Sequence, residues 1–238
     1  MNIRGMIKFS LVDYPGNICC VLFVGNCNMR CPFCHNPHLV LDPESQPHIR
    51  EAQIFNFLKT RVGKLDGVVI SGGEPTLRKN IIDFAAKIVE MGFKIKLDTN
   101  GSNPKVLKDL YAKGLLHALG VDYKAPSAKY ADLTRSKDGK IAEKVADTLR
   151  FAIKEKLQLD VRTTVHKSLL SPEDLLAMRK ELDGLGVSNW ALQMFNPVEV
   201  MDVGLNEIPS YAESELRDIA KKLGNTKVRG LTGVYLED

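Results

Sequence analysis

The sequence predicts an α/β fold in which a mostly parallel sheet curls into a partial (β/α)6 barrel. Three observations predict it: short apolar runs recur along the chain, helical patterns separate them, and turns rich in Gly or Asp follow the runs. The first run, 18–24, holds Ile18, Cys19, Cys20, Val21, Leu22, Phe23 and Val24 between Pro15-Gly16 and Gly25, and reads as a fully buried strand. The second, 68–70, precedes Ser71-Gly72-Gly73; the third, 93–97, precedes Asp98-Thr99-Asn100-Gly101; the fourth, 118–121, precedes Asp122. Segments 157–165 and 187–195 supply a fifth and a sixth. Between and after them, apolar residues at spacings of three and four predict helices at 50–62, 79–91, 104–114, 140–156, 172–184 and 211–223. Strands alternating with helices imply right-handed βαβ units, and six of them fall short of an eight-fold barrel. No linker divides the chain, so residues 1–238 are expected to form one domain, with loops at 36–48 and 125–139. The tail, 225–238, is compatible with a last strand or with a cover over the barrel mouth. Ligands of parallel α/β folds bind beyond the carboxyl ends of the strands, and the polar signatures of this chain fall there.

Composition excludes several classes of function. With 33 Lys+Arg against 29 Asp+Glu, a net charge of +4, 44% apolar and 26% charged residues, the chain is that of an ordinary globular protein. The basic excess is spread out, with no run of five like charges, so nucleic-acid binding is not indicated. No stretch approaches the ~18 apolar residues of a membrane helix, and polar and turn residues after Arg4 and Lys8 interrupt any signal-peptide core. All five cysteines, Cys19, Cys20, Cys27, Cys31 and Cys34, lie within 16 residues. A disulfide framework would spread its bridges through the fold, so this clustering predicts a metal site and a reducing, cytoplasmic compartment.

Cys27-Asn28-Met29-Arg30-Cys31-Pro32-Phe33-Cys34 places three thiols at C-x3-C-x2-C spacing after the first strand. So short a loop can wrap three sulfurs round one compact group, and thiolates suit iron–sulfur clusters and zinc. Cys19 and Cys20 are adjacent on a strand and face opposite ways, so at most one can approach. Three ligands would leave one iron of a four-iron cluster open. A zinc knot completed by His35 or His38, or a redox pair, is the alternative reading of the same residues.

The C-x3-C-x2-C motif resembles that of the radical S-adenosylmethionine (SAM) enzymes, and the resemblance covers nearly the whole chain. It implies a radical SAM barrel with a [4Fe–4S] cluster on Cys27, Cys31 and Cys34 and SAM on the open iron, where reductive cleavage gives methionine and a 5′-deoxyadenosyl radical. The protein then supplies geometry and the cofactors the hard chemistry. By itself Ser71-Gly72-Gly73-Glu74-Pro75-Thr76 is a strand-to-helix turn with Thr76 as a candidate cap. In the family, Gly72, Gly73 and Glu74 match a GGE motif whose glycines admit SAM and whose polar groups receive its ammonium. Asp98 with Asn100-Gly101 also makes a good turn, and Asp122 with Lys124 a surface pair worth less than ~1 kcal/mol. In the glycyl-radical-activating branch, an Asp after the third strand and D-x-K after the fourth contact SAM. Arg162 and Thr164 share one face of the fifth strand, from which they could reach the SAM carboxylate or ribose while Val165 or a neighbour packs on adenine. Phe33 matches an aromatic beside adenine; Gln193 and Phe195 are weaker candidates; His166 reads equally as a satisfied loop histidine.

The segment Asp13-Tyr14-Pro15-Gly16, with 23–37 around the cysteines, is similar to the glycyl-radical-activating enzymes, above all to those that activate anaerobic ribonucleoside-triphosphate reductase. The resemblance implies a glycyl-radical partner of the anaerobic ribonucleotide reductase type and flavodoxin or ferredoxin as electron donor. Asn26 stands where the family usually has Gly, and Asn17-Ile18 where an Arg often follows; both are expected near the barrel mouth. A radical SAM enzyme acting on a small molecule, RNA or peptide, and a non-enzymatic zinc or redox module, are the competing readings.

Overall fold

The computed structural model describes residues 1–230. Eight strands, β1 (Ile3–Ser10), β2 (Cys19–Val24), β3 (Gly67–Gly72), β4 (Lys94–Thr99), β5 (Ala118–Asp122), β6 (Gln158–Val165), β7 (Trp190–Met194) and β8 (Thr226–Arg229), form one sheet in chain order. β1 runs antiparallel to β2, and every later neighbour is parallel. β1 and β8 are the two edges, so the barrel is open along that seam.

The helices are α1 (Pro37–Leu41), α2 (Glu51–Lys59), α3 (Ile81–Glu90), α4 (Pro104–Ala112), α5 (Tyr130–Thr134), α6 (Ile141–Lys154), α7 (Pro172–Gly184) and α8 (Glu213–Leu223). Their spacing explains their packing. α3 buries Ile81, Phe84, Ala85 and Ile88, a stripe along one face. α7 begins at a reciprocal cap: Ser171 Oγ accepts from Asp174 N at 3.2 Å, Asp174 Oδ2 accepts from Ser171 N at 3.0 Å, and Pro172 fills the first turn.

Strand alternation divides the apolar residues into two sets. Cys20, Leu22 and Val24 face the helix-covered core with Ile54, Leu58, Val68 and Ile70. Cys19 and Val21 face inward, with Val69 and Ala118, against the ring of Tyr14. Tyr14 stands in a turn closed by Asn17 N–H on its carbonyl at 2.9 Å, and its buried side chain plugs the amino end of the barrel. Neither Cys19 nor Cys20 is exposed, and each is packing; burial pushes their thiols up, to about 11 and about 12.

The six parallel strands and six helices of the sequence reading are present, most with ends shifted by up to three residues, and β3, β4 and β5 run further toward their carboxyl ends than the apolar runs. Two strands and two α-helices are additional. β1 carries Gly5 and exposed Ile7 and Phe9, so it lacks the apolar run of a central strand. β8 settles part of the tail as a last strand, while 231–238 lies outside the described residues. The expected loop at 36–48 contains α1, and the one at 125–139 contains α5; at five residues each they are too short to show a helical period. Among the described residues no helix is long and apolar enough to cross a membrane.

Replacing Phe84, buried and 5.3 Å from the Phe55 ring centroid, by Ala is expected to lower stability by about 3–5 kcal/mol in urea unfolding. The same test on exposed Val12 should move stability by no more than about 0.5 kcal/mol.

Candidate functional site

A cavity of about 350 Å³ lies over the carboxyl ends of the strands. Cys27, Cys31, Cys34 and Phe33 line it from the loop after β2, Gly72 and Gly73 from the end of β3, and Asp98 from β4. Asp122 and Lys124 enter from the end of β5, Arg162 and Thr164 from β6, and Gln193 from β7. The convergence follows from strand geometry, because residues two apart on parallel strands point to the same side of the sheet.

The cysteine loop is tied down on every side. Asn26 N–H donates to Leu39 O at 2.7 Å, Arg30 N–H to Thr134 O at 2.8 Å, Met201 N–H to Cys34 O at 3.1 Å and Asp202 N–H to Pro32 O at 2.9 Å. The chain after β7 therefore crosses to the loop after β2. Asn26 has φ +69°, a left-handed conformation that Asn tolerates better than other side chains, so Asn can stand where glycine is usual. Asn26 does lie at the carboxyl end of the sheet. Asn17 and Ile18 instead precede β2, at the amino end, which corrects the expectation that they flank the mouth.

The donor set fits a polynuclear group. Zinc at about 2.3 Å from each of three thiolates would hold the sulfurs about 3.8 Å apart. No three His, Cys, Asp or Glu side chains are gathered round one such position among the described residues, whereas the three thiols share the wall of a larger hollow. Burial pushes all three thiols up, Cys31 to about 12, and Lys124 pulls each of them down. As anions they need a cationic group among them, and loading it would release protons.

Beneath the thiols runs a ladder of alternating charge. Buried Lys96 pairs with Asp98, whose second oxygen accepts from Arg162 Nη2 at 3.1 Å. Arg162 Nε donates to Asp122 Oδ1 at 2.7 Å, and Lys124 Nζ lies 3.2 Å from Asp122 Oδ2. Burial opposes charge on Asp122, but the cations of Lys124 and Arg162 prevail and hold its carboxyl well below the usual range. Burial likewise opposes the Lys124 ammonium, and Asp122 outweighs it, so Lys124 titrates above its usual range. Asp122 is the main reason that Arg162 is raised too. Lys124 Nζ stands 5.7 Å from the centroid of Phe33.

Glu74 is the predicted site residue that the structure does not bring to the cavity wall. It is fully buried behind it. Oε1 accepts from Thr76 N at 3.0 Å, Thr76 Oγ1 at 2.5 Å and Thr99 Oγ1 at 2.8 Å; Oε2 accepts from Asn100 N at 2.7 Å. Burial raises its carboxyl while these donors pull it down. The glycines before it serve packing: a Cβ on Gly73 would collide with the carbonyl of Asn26, and one on Gly72 with the backbone of Val24.

Other expectations separate in the same way. Val165 is buried in the outer core, on the face opposite Thr164, so it cannot pack on adenine. Phe195 lies past β7 and stacks edge-on against His166 at 4.8 Å. His166 is a satisfied buried histidine, with Nε2 3.2 Å from Leu205 O and from Ile208 O and Nδ1 taking Ser168 N–H. Asp13, Ser71 and Asn100 also reach the cavity, and Lys96 supports it from below; none of the four was singled out as a site residue. The alternation Lys94, Lys96, Asp98 carries the signal for Lys96, since a charged pair two apart on a buried strand must find partners on one face.

Replacing Arg162 by Met leaves Asp98 and Asp122 short of a cation. It is expected to lower stability near pH 7 by about 2 kcal/mol, less than a fully buried pair loses, because half-exposed Asp122 is screened. The depressed Asp122 carboxyl contributes stability above its unfolded pKa of about 3.9 and loses it as pH falls through the folded value. The gap between wild type and variant should therefore narrow below about pH 4, as urea unfolding across pH would read.

A family model described as the radical SAM superfamily matches residues 21–166. A protein of Methanocaldococcus jannaschii, provisionally named a glycyl-radical enzyme activating enzyme, is 32% identical over 240 residues, covering 98% of each chain. A second protein of that organism, provisionally named in the same way, is 25% identical over 72% of this chain and 63% of its own. The crystal structure of SuiB from Streptococcus suis shares the fold, with a TM-score of 0.67 at 14% identity over 89% of this chain and 49% of that one. The convergence of three thiols, the two glycines of the turn after β3 and a carboxylate–cation ladder on one cavity agrees with these likenesses, and the chain belongs to the radical SAM superfamily, whose cofactors are a [4Fe–4S] cluster and SAM.

Proposed function

We propose that this chain is a glycyl-radical-enzyme activase, which abstracts hydrogen from a backbone glycine of a partner of the anaerobic ribonucleotide reductase type. The observation that carries the reading is that Cys27, Cys31 and Cys34 line one cavity with Asp98, Asp122, Lys124 and Arg162 in a chain similar, over 98% of its length, to a protein provisionally named as such an activase. Cys27, Cys31 and Cys34 would hold the cluster. A cluster held there would supply the one electron that cleavage of SAM to methionine and a 5′-deoxyadenosyl radical requires.

The chain's own residues bind, orient and shield. Lys124, 13% exposed at its side chain, offers an ammonium to the carboxylate of SAM, in competition with Asp122. Asp98 and Asp122 offer carboxylate oxygens to its ammonium or ribose hydroxyls, and Phe33 offers an apolar face to adenine. Gly72 and Gly73 hold the turn after β3 against the cysteine loop, and Glu74 fixes that turn from behind. Thr164 and Gln193 line the side nearer the seam between β8 and β1, from which a polypeptide segment would enter. A cytoplasmic location, and flavodoxin or ferredoxin as donor, complete the reading, because five cysteines clustered within 16 residues suit a metal site in a reducing compartment.

The test is anaerobic: reconstituted protein, SAM, reduced flavodoxin and the anaerobic ribonucleotide reductase of the same cell, followed by electron paramagnetic resonance. A glycyl-radical doublet on the partner, with 5′-deoxyadenosine released in step, is expected; release with no doublet on the partner would assign the chemistry to another substrate. Cys27→Ala, Cys31→Ala and Cys34→Ala should each abolish nucleoside release. Lys124→Met should weaken SAM binding more than about tenfold in equilibrium dialysis, since truncating one partner of a desolvated charge pair costs about 2 kcal/mol or more.

A further inference from the structure

Among the hydrogen bonds of the described residues, Cys27 is the one thiol of the three that a side-chain donor reaches. Its Sγ receives Met29 N–H at 3.4 Å and Asn100 Nδ2–H at 3.7 Å. The orientation of the Asn100 amide is fixed by its other partners. Oδ1 accepts from Ser102 N at 3.0 Å, and Nδ2 also donates to Asn28 Oδ1 at 2.9 Å. A flipped amide would set NH2 against the Ser102 N–H and carbonyl oxygen against both the sulfur and Asn28 Oδ1, losing every one of these bonds. The Asn100 donor in turn sets the Asn28 amide, whose Nδ2 then donates to Ser102 Oγ at 3.0 Å. The backbone N–H of Asn100 is held by Glu74 Oε2 at 2.7 Å, and Asn100 is 5% exposed. A buried carboxylate, a backbone amide and a side-chain amide thus run in sequence from the turn after β3 to the first cysteine.

We propose that Asn100 is a positioning residue that raises the reduction potential of the cluster by donating its side-chain N–H to Cys27 Sγ, with Glu74 holding it in place. The inference rests on the reading of Cys27, Cys31 and Cys34 as cluster ligands. Reduction adds one electron, drawn from the external donor, and part of the added negative charge falls on the thiolate sulfurs. An N–H aimed at a sulfur stabilises that charge, and hydrogen bonds to the sulfurs are among the quantities that set cluster potentials. Asn100 neither gains nor loses an electron. Its contribution is a fixed dipole in a buried setting, where such a dipole acts strongly.

The test is a redox titration followed by electron paramagnetic resonance on reconstituted protein, after iron and sulfide have been counted in each sample. Asn100→Leu removes the donor, and the midpoint potential should become more negative; Asn100→Asp puts a carboxylate in its place, and the midpoint should fall further. Midpoints equal to wild type in loaded variants would overturn the proposal. Wild-type protein carrying ¹⁵N at the asparagine side-chain amide alone supplies an arm free of folding effects: pulsed resonance of the reduced cluster should show coupling to a side-chain amide nitrogen, and its absence would overturn the assignment. Wild-type protein that takes up no iron would overturn the cluster reading itself, a failure visible in the metal count before any potential is measured.

Discussion

The buried carboxylate of Glu74 is the constraint on which the upper half of the barrel depends. Removing a carboxylate from water is expensive unless its lone pairs are met, and here four donors from the turns after β3 and β4 meet them. Its own backbone N–H donates 2.8 Å to the carbonyl of Asn26, so the same residue also holds the start of the cysteine loop. One side chain and its peptide thereby fix three strand-end segments relative to one another. The glycines before it are required by that arrangement, since any side chain at Gly73 would push the Asn26 peptide, and Cys27 with it, out of place.

Below this knot the ion ladder from Lys96 to Lys124 serves a different need. A cavity built to receive a zwitterionic ligand must display charges of both signs without their collapsing onto each other, and charges fixed on neighbouring strands meet that need. Lys96 sits at the buried end, where its ammonium has Asp98 as partner. Lys124 and Asp122 sit at the end that faces the thiols, and Lys124 draws all three thiols toward deprotonation. If the proposed SAM contacts hold, stability and ligand binding share residues, and a change at Arg162 or Asp122 would disturb both.

The parallel strands and their helices were legible because burial on both faces leaves an apolar run and burial on one face leaves a 3.6-residue period. β1 was not legible, since an edge strand with exposed Ile7 and Phe9 and an interior Gly5 carries neither pattern. At the site, the thiols could be read from type and spacing, and the D-x-K pair from the family resemblance. The placement of Glu74 could not: in sequence a carboxylate after two glycines looks like a ligand-facing group, and only the backbone path shows its oxygens turned toward Thr76, Thr99 and Asn100. Lys96 and Asn100 were missed for the same reason, because their roles depend on which neighbours the curled sheet brings to them. Of the two weaker aromatic and aliphatic candidates, Phe195 packs on His35 and His166 beside the cavity rather than in its wall, and Val165 lies on the far face of its strand.

The most direct measurement of the central claim is low-temperature electron paramagnetic resonance of anaerobically reconstituted, reduced protein with and without SAM. The account predicts a [4Fe–4S]⁺ signal that SAM perturbs, because three cysteines leave one iron for it. A colourless protein that binds one zinc ion and takes up no iron, or a cluster signal indifferent to SAM, would contradict it.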